Sequence, residues 1–105
     1  MFELDKDNFE AEVLQAEGKI FVDYYGDGCV PCAAIMPFVE SMAAKYSDKM
    51  KFAKLNTSKA RRLAISQKIL GLPVIAIYEG GEKLEELVKE DCTEVNIEDM
   101  IQRHM

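Results

Sequence analysis

Ile20-Phe21-Val22-Asp23-Tyr24-Tyr25 is a nearly continuous apolar run. A strand with one wet face alternates polar and apolar residues, whereas a strand covered on both faces does not. The run therefore predicts a strand deep in a sheet that carries helices on both sides. Asp23 interrupts it with a carboxylate, and a lone carboxylate among apolar side chains is costly. Gly26-Asp27-Gly28 reads as the turn that follows. Directly after it stands Cys29-Val30-Pro31-Cys32, at the start of a helical pattern. Two thiols on such a turn can close a small disulfide and reopen it.

The remaining pattern fits around that strand. Met1–Leu4 reads as a short strand. Asp7-x-x-Glu10 fits a helix start, with Phe9, Val13 and Leu14 on one face and Gly18 as the stop. Ile35, Phe38, Val39, Met42 and Tyr46 recur at helical spacing, which predicts a helix from about Cys32 to Tyr46. Pro37 lies inside it and should kink it. Lys51–Asn56 reads as a strand, and Ser58 as the cap of a helix carrying Leu63 and Ala64. Val74–Tyr78 is a further strand, Gly80-Gly81 a hairpin turn, and Lys83–Val88 an edge strand with its charges facing out. A last helix is expected from about Asn96, with Ile97, Met100 and Ile101 facing inward. The order is β-α-β-α-β-α-β-β-α. It predicts an α/β domain with a mixed sheet, parallel where helices cross over and antiparallel at the late hairpin.

Composition narrows the function. The 105 residues suffice for one domain, and no linker or repeat divides them. With 49% hydrophobic residues, a core can form without disulfide staples. The net charge of −6 argues against binding a phosphate backbone, so no nucleic-acid partner is expected. No run approaches the roughly 20 apolar residues of a membrane span. Met1-Phe2-Glu3-Leu4-Asp5 lacks the basic and apolar regions of a signal peptide. A cytoplasmic monomer is the expectation. Three cysteines is an odd count, and in a reducing compartment a CxxC pair is more often catalytic or metal-binding than structural.

The two sulfurs should differ. A free cysteine has a pKa of roughly 8.5, and the thiolate is the attacking form. Cys29 falls where strand hands over to helix, where unpaired N–H groups and the helix dipole favour an anion. Cys32, one turn on, can donate its S–H toward that anion. Cys29 is the expected nucleophile and Cys32 the resolving thiol. Cys32 must lose a proton when it attacks, and a buried Asp23, with its pKa raised, can accept it. Lys54 pairs with Asp23 if the strand Lys51–Asn56 lies alongside, and is otherwise a solvated strand lysine.

These residues resemble the thioredoxin family. The matching pieces are Phe21-Val22-Asp23-Tyr24, Cys29-Val30-Pro31-Cys32, Pro37, Ala53-Lys54-Leu55-Asn56, Gly71-Leu72-Pro73 and Glu79-Gly80-Gly81-Glu82, in family spacing from Met1 to about Val88. The resemblance implies the thioredoxin fold, a central mixed β-sheet flanked by four α-helices. It implies a cis Leu72–Pro73 peptide facing the disulfide, with Leu72 backbone groups free for an incoming peptide. A substrate groove of Gly28, Val30, Pro31, Leu72, Pro73 and Val88 follows. So do the partners: disulfide-containing client proteins and a flavin-dependent thioredoxin reductase, with no cofactor bound to this chain. The departures lie on the surface. Gly28 and Val30 stand where the family usually has Trp and Gly, Tyr25 replaces a second Trp, and Lys89 occupies a position usually held by Gly. Losing the indole opens the surface beside Cys29. Gly-Cys-Val-Pro-Cys is similar to thioredoxins of amino-acid-fermenting, clostridial-type anaerobes, which implies service to a glycine reductase system.

Other residues have plainer readings. Cys92, among acidic neighbours, is expected to be a passive thiol, with oxidative dimerisation as the sharper alternative. His104 is expected at a frayed helix end. Lys59, Arg61 and Arg62 read as a solvated helix face, and Phe21 and Tyr24 as core. Three rival functions compete with this one. A glutaredoxin-like enzyme would want a different dipeptide between the cysteines. A structural zinc site needs four ligands, which Cys92 and His104 complete only if the fold brings them near. A non-catalytic binding domain sits poorly with intact cysteines and Asp23.

Overall fold

In the computed structural model, which describes residues 1–105, the apolar run becomes β2, Lys19–Tyr25. It lies at the centre of a five-stranded sheet of order β1-β3-β2-β4-β5. The flanking strands are β1 (Phe2–Leu4), β3 (Lys51–Asn56), β4 (Val74–Glu79) and β5 (Glu82–Val88). β1 and β2 both run parallel to β3, while β4 runs antiparallel to β2 and to β5. The sheet is therefore mixed, as its element order implies. Its one surprise is that the connection after β3 returns antiparallel rather than as another parallel crossover.

Alternation along β2 feeds two cores. Ile20, Val22 and Tyr24 join Phe9, Val13, Ala60 and Ala64 on one face. Phe21 joins Val39, Met42, Ile97 and Met100 on the other. The first face is covered by a π-helical turn, Glu10–Leu14, and by α2, Arg61–Ser66. The second is covered by α1, Val30–Lys45, and α3, Glu94–Arg103. Counting the π-helical turn, four helices flank the sheet. Short 3₁₀ turns at Thr57–Lys59 and Lys89–Asp91 complete the connections.

Helix boundaries shift from the predicted ones because different polar residues cap them. Asp5, not Asp7, anchors the first turn: its carboxylate accepts the N–H groups of Asp7 and Asn8 at 2.8 Å each. Ser58 does not cap α2, which follows Ala60 with no side-chain cap; Asn56 caps the 3₁₀ turn after β3, and Ser58 Oγ accepts the Asp27 N–H instead. Thr93 caps α3, accepting the Asn96 N–H at 3.1 Å, so that helix starts two residues earlier than expected. α1 continues through Pro37 without a break, although the ring forfeits the bond to the Ala33 carbonyl. The β4–β5 turn requires its glycines: Gly81 has φ of 83°, and a Cβ there would lie 2.8 Å from the Leu14 carbonyl oxygen.

Candidate redox site

The strand-to-helix junction positions the two sulfurs. β2 ends at Tyr25, and Gly26 and Gly28 carry the chain around to Cys29, which is the N-cap of α1. Gly28 takes φ of 72°, a conformation that suits glycine, and open space surrounds the position a Cβ would occupy. The surface beside Cys29 is thus open, as the missing Trp predicts. Pro31 sits in the first helical turn, where its absent N–H costs no bond. Cys29 Sγ accepts the Cys32 N–H at 3.3 Å, so the sulfur takes the role of a capping oxygen. Cys29 and Cys32 are joined as a disulfide, with Cα atoms 5.3 Å apart. Cys29 is partly exposed, whereas Cys32 is only 2% exposed. A reagent in solvent meets Cys29 first.

Asp23, two residues before the end of β2, has no solvent exposure, and neither carboxylate oxygen has a hydrogen-bond partner. Burial pushes its pKa up to about 7, against the pull of Lys54. Lys54 is the register neighbour of Asp23 on β3. It makes no ion pair with Asp23; its ammonium sits 6.0 Å from the centre of the Tyr25 ring. The expected pairing is therefore an electrostatic influence across the strands rather than a contact.

A cleft of about 590 Å³ opens over the disulfide. Gly28, Cys29, Val30, Cys32 and Lys54 line it, along with Met36 and Glu40. Met36 and Glu40 went unnoticed in the sequence, although Cys32, Met36 and Glu40 recur at i+4 spacing on one helix face. Leu72–Pro73 is a cis peptide, and the Leu72 N–H and carbonyl have no backbone partner. Pro31 is exposed, whereas Pro73 is buried. Val88 is half-buried against the same core as Leu72, with Val74 as its register partner, so it supports the rim more than it forms it.

Cys92 is buried, although its neighbours Asp91 and Thr93 are exposed. Its Sγ lies 3.5 Å from the Pro73 carbonyl oxygen and 3.4 Å from that of Leu87. Burial, then Asp23 and Asp91, push its thiol up to about 12, against a backbone hydrogen bond. His104 is not frayed. Its Nε2 meets Glu85 at 2.8 Å, its carbonyl accepts from Lys19 Nζ at 2.7 Å, and Arg103 grips the same Glu85. Cys92 and His104 are thus committed elsewhere, and no three His, Cys, Asp or Glu side chains gather in metal-binding geometry. No helix is long and apolar enough to cross a membrane.

Comparison with known proteins agrees with this geometry. The family model described as Thioredoxin matches residues 1–103. The chain belongs to the thioredoxin family. A thioredoxin of Peptoclostridium acidaminophilum, a clostridial amino-acid fermenter, is 62% identical over the whole chain and 96% of that protein. One from Acetoanaerobium sticklandii is 53% identical over the full length of both. An M-type chloroplast thioredoxin of Chlamydomonas reinhardtii is 34% identical over 81% of this chain and 61% of its own. As a thioredoxin the chain is a thiol–disulfide oxidoreductase, and the Cys29–Cys32 bridge is its redox-active disulfide. Thioredoxin reductase and disulfide-bearing proteins are the partners the family implies.

Proposed function

We infer that the reduced protein carries two electrons to client disulfides by a two-step exchange. The Cys29 thiolate attacks one client sulfur, forming a mixed disulfide and expelling the other client sulfur as a thiolate. Cys32 then gives its proton to Asp23, directly or through a water, and attacks Cys29 Sγ. That step forms the Cys29–Cys32 bond and releases the second client thiolate. The client is reduced and the protein oxidised, and a thioredoxin reductase returns two electrons. Both electrons reside on the sulfurs, so the site needs no bound cofactor. Lys54 tempers the Asp23 pKa. Gly28, Val30, Pro31 and Leu72 receive the client chain, with Pro73 and Val88 supporting Leu72 from beneath, and the unpaired Leu72 backbone groups suit an extended peptide.

The asymmetry of the sulfurs carries this reading: Cys29 is reachable at a helix N-terminus and Cys32 is enclosed. Dithiothreitol-driven insulin reduction tests it. Wild type should reduce insulin, Cys29→Ser should not, and Cys32→Ser should accumulate a covalent client complex. Equal activity of wild type and Cys29→Ser overturns the assignment.

The narrower setting we infer is the cytoplasm of an amino-acid-fermenting anaerobe, with a monomer supplying electrons to a glycine reductase system. The Gly-Cys-Val-Pro-Cys site and the relative from an amino-acid fermenter support it. A glycine reductase preparation given NADPH and thioredoxin reductase should turn over glycine only when this protein is added. Equal turnover without it rules the assignment out.

A further inference from the structure

The exchange chemistry leaves one charged, apolar face without a use. Residues 57–72 contain Lys59, Arg61, Arg62 and Lys68 and no carboxylate, in a chain whose net charge is −6. None of these four side chains, nor Lys89, takes part in an ion pair. The same stretch exposes two large apolar side chains, Leu70 at 84% and Ile65 at 64%. Such residues scattered singly are ordinary. Here both line one groove of about 460 Å³, together with Arg61, Ile69, Gly71 and Leu72.

Lys89 reaches the edge of this groove over Gly71. Its φ is 53°, and its N–H donates to the Pro73 carbonyl at 2.7 Å. Its side chain crosses Gly71 so closely that a Cβ there would collide with Lys89 Cε. The ammonium is thereby held beside the groove, and neither Glu90 nor Asp91 pairs with it. Leu72 connects the groove to the redox cleft. Its Cδ1 lies 2.9 Å from where a Cβ on Gly26 would sit, and Gly26 lines the cleft. A polypeptide leaving Cys29 across Leu72 enters this groove.

We propose that α2, the loop to Leu72 and Lys89 form a second docking surface, continuous with the redox cleft, for an acidic, leucine-bearing segment of a partner protein. The floor is apolar and wants an apolar anchor. The rim is cationic and wants carboxylates. The acidic remainder of the molecule repels such a segment at a distance, but salt screens that field beyond about 8–10 Å. At contact the local cations decide. The proposal rests on the chain acting as a disulfide reductase.

Three peptides of equal length test it. Each carries one cysteine as a mixed disulfide with 5-thio-2-nitrobenzoate, followed by alternating Glu-Leu, Lys-Leu or Ser-Gly. Release of the coloured thiolate by fully reduced protein gives a second-order rate for each. At about 0.1–0.15 M salt, where the long-range field is screened, the Glu-Leu peptide should react about tenfold faster than the Lys-Leu peptide, with the advantage lost at about 1 M. The double variant Arg61→Glu/Lys68→Glu should reverse the order, and Leu70→Ser should slow the Glu-Leu peptide most. All three positions are exposed, so folding is not at issue. A faster Lys-Leu peptide in the wild type would mean that net charge governs, equal rates that the protein reads neither charge, and either would overturn the surface. So would an unchanged order in the double variant. An oligonucleotide that competes as well as unlabelled Glu-Leu peptide would overturn the peptide assignment. Release from no peptide at all would instead refute disulfide exchange, and the docking surface with it.

Discussion

Asp23 holds a carboxyl group with no exposed surface and no hydrogen-bond partner, and burial lifts its pKa to about 7. An unfolded aspartate ionises near the ordinary value of 3.8. Between those two pH values the folded state keeps a proton that the unfolded state has lost. Stability therefore falls as pH rises through that window and levels off above it. Urea titrations of the oxidised protein at pH 4 and pH 8 should show Asp23→Asn gaining on the order of 3 kcal/mol relative to wild type across that range. A constant difference between the two proteins would mean that Asp23 is already ionised at low pH. The same substitution removes the proton acceptor, so decay of the mixed disulfide should slow about 100-fold or more. Cys92 offers the contrasting case. With its thiol buried and pushed up to about 12, it should resist iodoacetamide at pH 8 while reduced Cys29 reacts, as peptide mass mapping will show. Prompt Cys92 labelling of the folded protein would revive oxidative dimerisation. Asp23 was legible in the sequence because a carboxylate in an apolar run demands a reason. Cys92 reads as a passive thiol in the sequence, but its burial does not, because its contact with Pro73 is made by chain 19 residues away.

Among the elements, α3 shows how little of a helix is stabilised by its own ends. Ile97, Met100 and Ile101 anchor it to the sheet, and Thr93 supplies its single side-chain cap. Thr93→Ala should cost about 1 kcal/mol and lower Tm by about 4–8 °C, with no loss of insulin reduction. A larger drop accompanied by lost activity would mean that the cap also holds the loop beneath Pro73. The inward residues of this helix could be read from their spacing, but its start could not. Thr93 and Asn96 are both plausible caps, and the choice depends on the chain's path out of the Lys89–Asp91 turn. The same ambiguity separates Asp7 from Asp5 and Ser58 from Asn56. His104 is not legible for a related reason: only the fold brings Glu85 of β5 to the end of α3. The site fared better than the boundaries. A strand-to-helix turn bearing two thiols is one local unit, and Cys29 caps α1 through its own sulfur.

Across the whole molecule, one strand decides whether two layers behave as one. β2 sends Ile20, Val22 and Tyr24 into one core and Phe21 into the other, while pairing with β3 and β4 on its two edges. Neither helical layer has apolar cover except through that sheet. The apolar run at positions 20–25 foretold this arrangement, although nothing in it specified that β4 would pair antiparallel. Phe21 packs on Phe52 with ring centres 4.7 Å apart and has no exposed surface. Phe21→Ala should cost about 3–5 kcal/mol, a large share of the roughly 5–15 kcal/mol that holds a domain together. If the layers are coupled through β2, the loss will not stay on the Phe21 side. Hydrogen exchange should quicken by one common factor at Ile101 in α3, at Ala76 in β4 and at Ala64 in α2, because each opens only when the sheet does. Faster exchange confined to α1 and α3 would show instead that the two layers open separately. The redox site would then rest on the less stable half, since α1, which carries Cys29 at its start, belongs to the Phe21 layer.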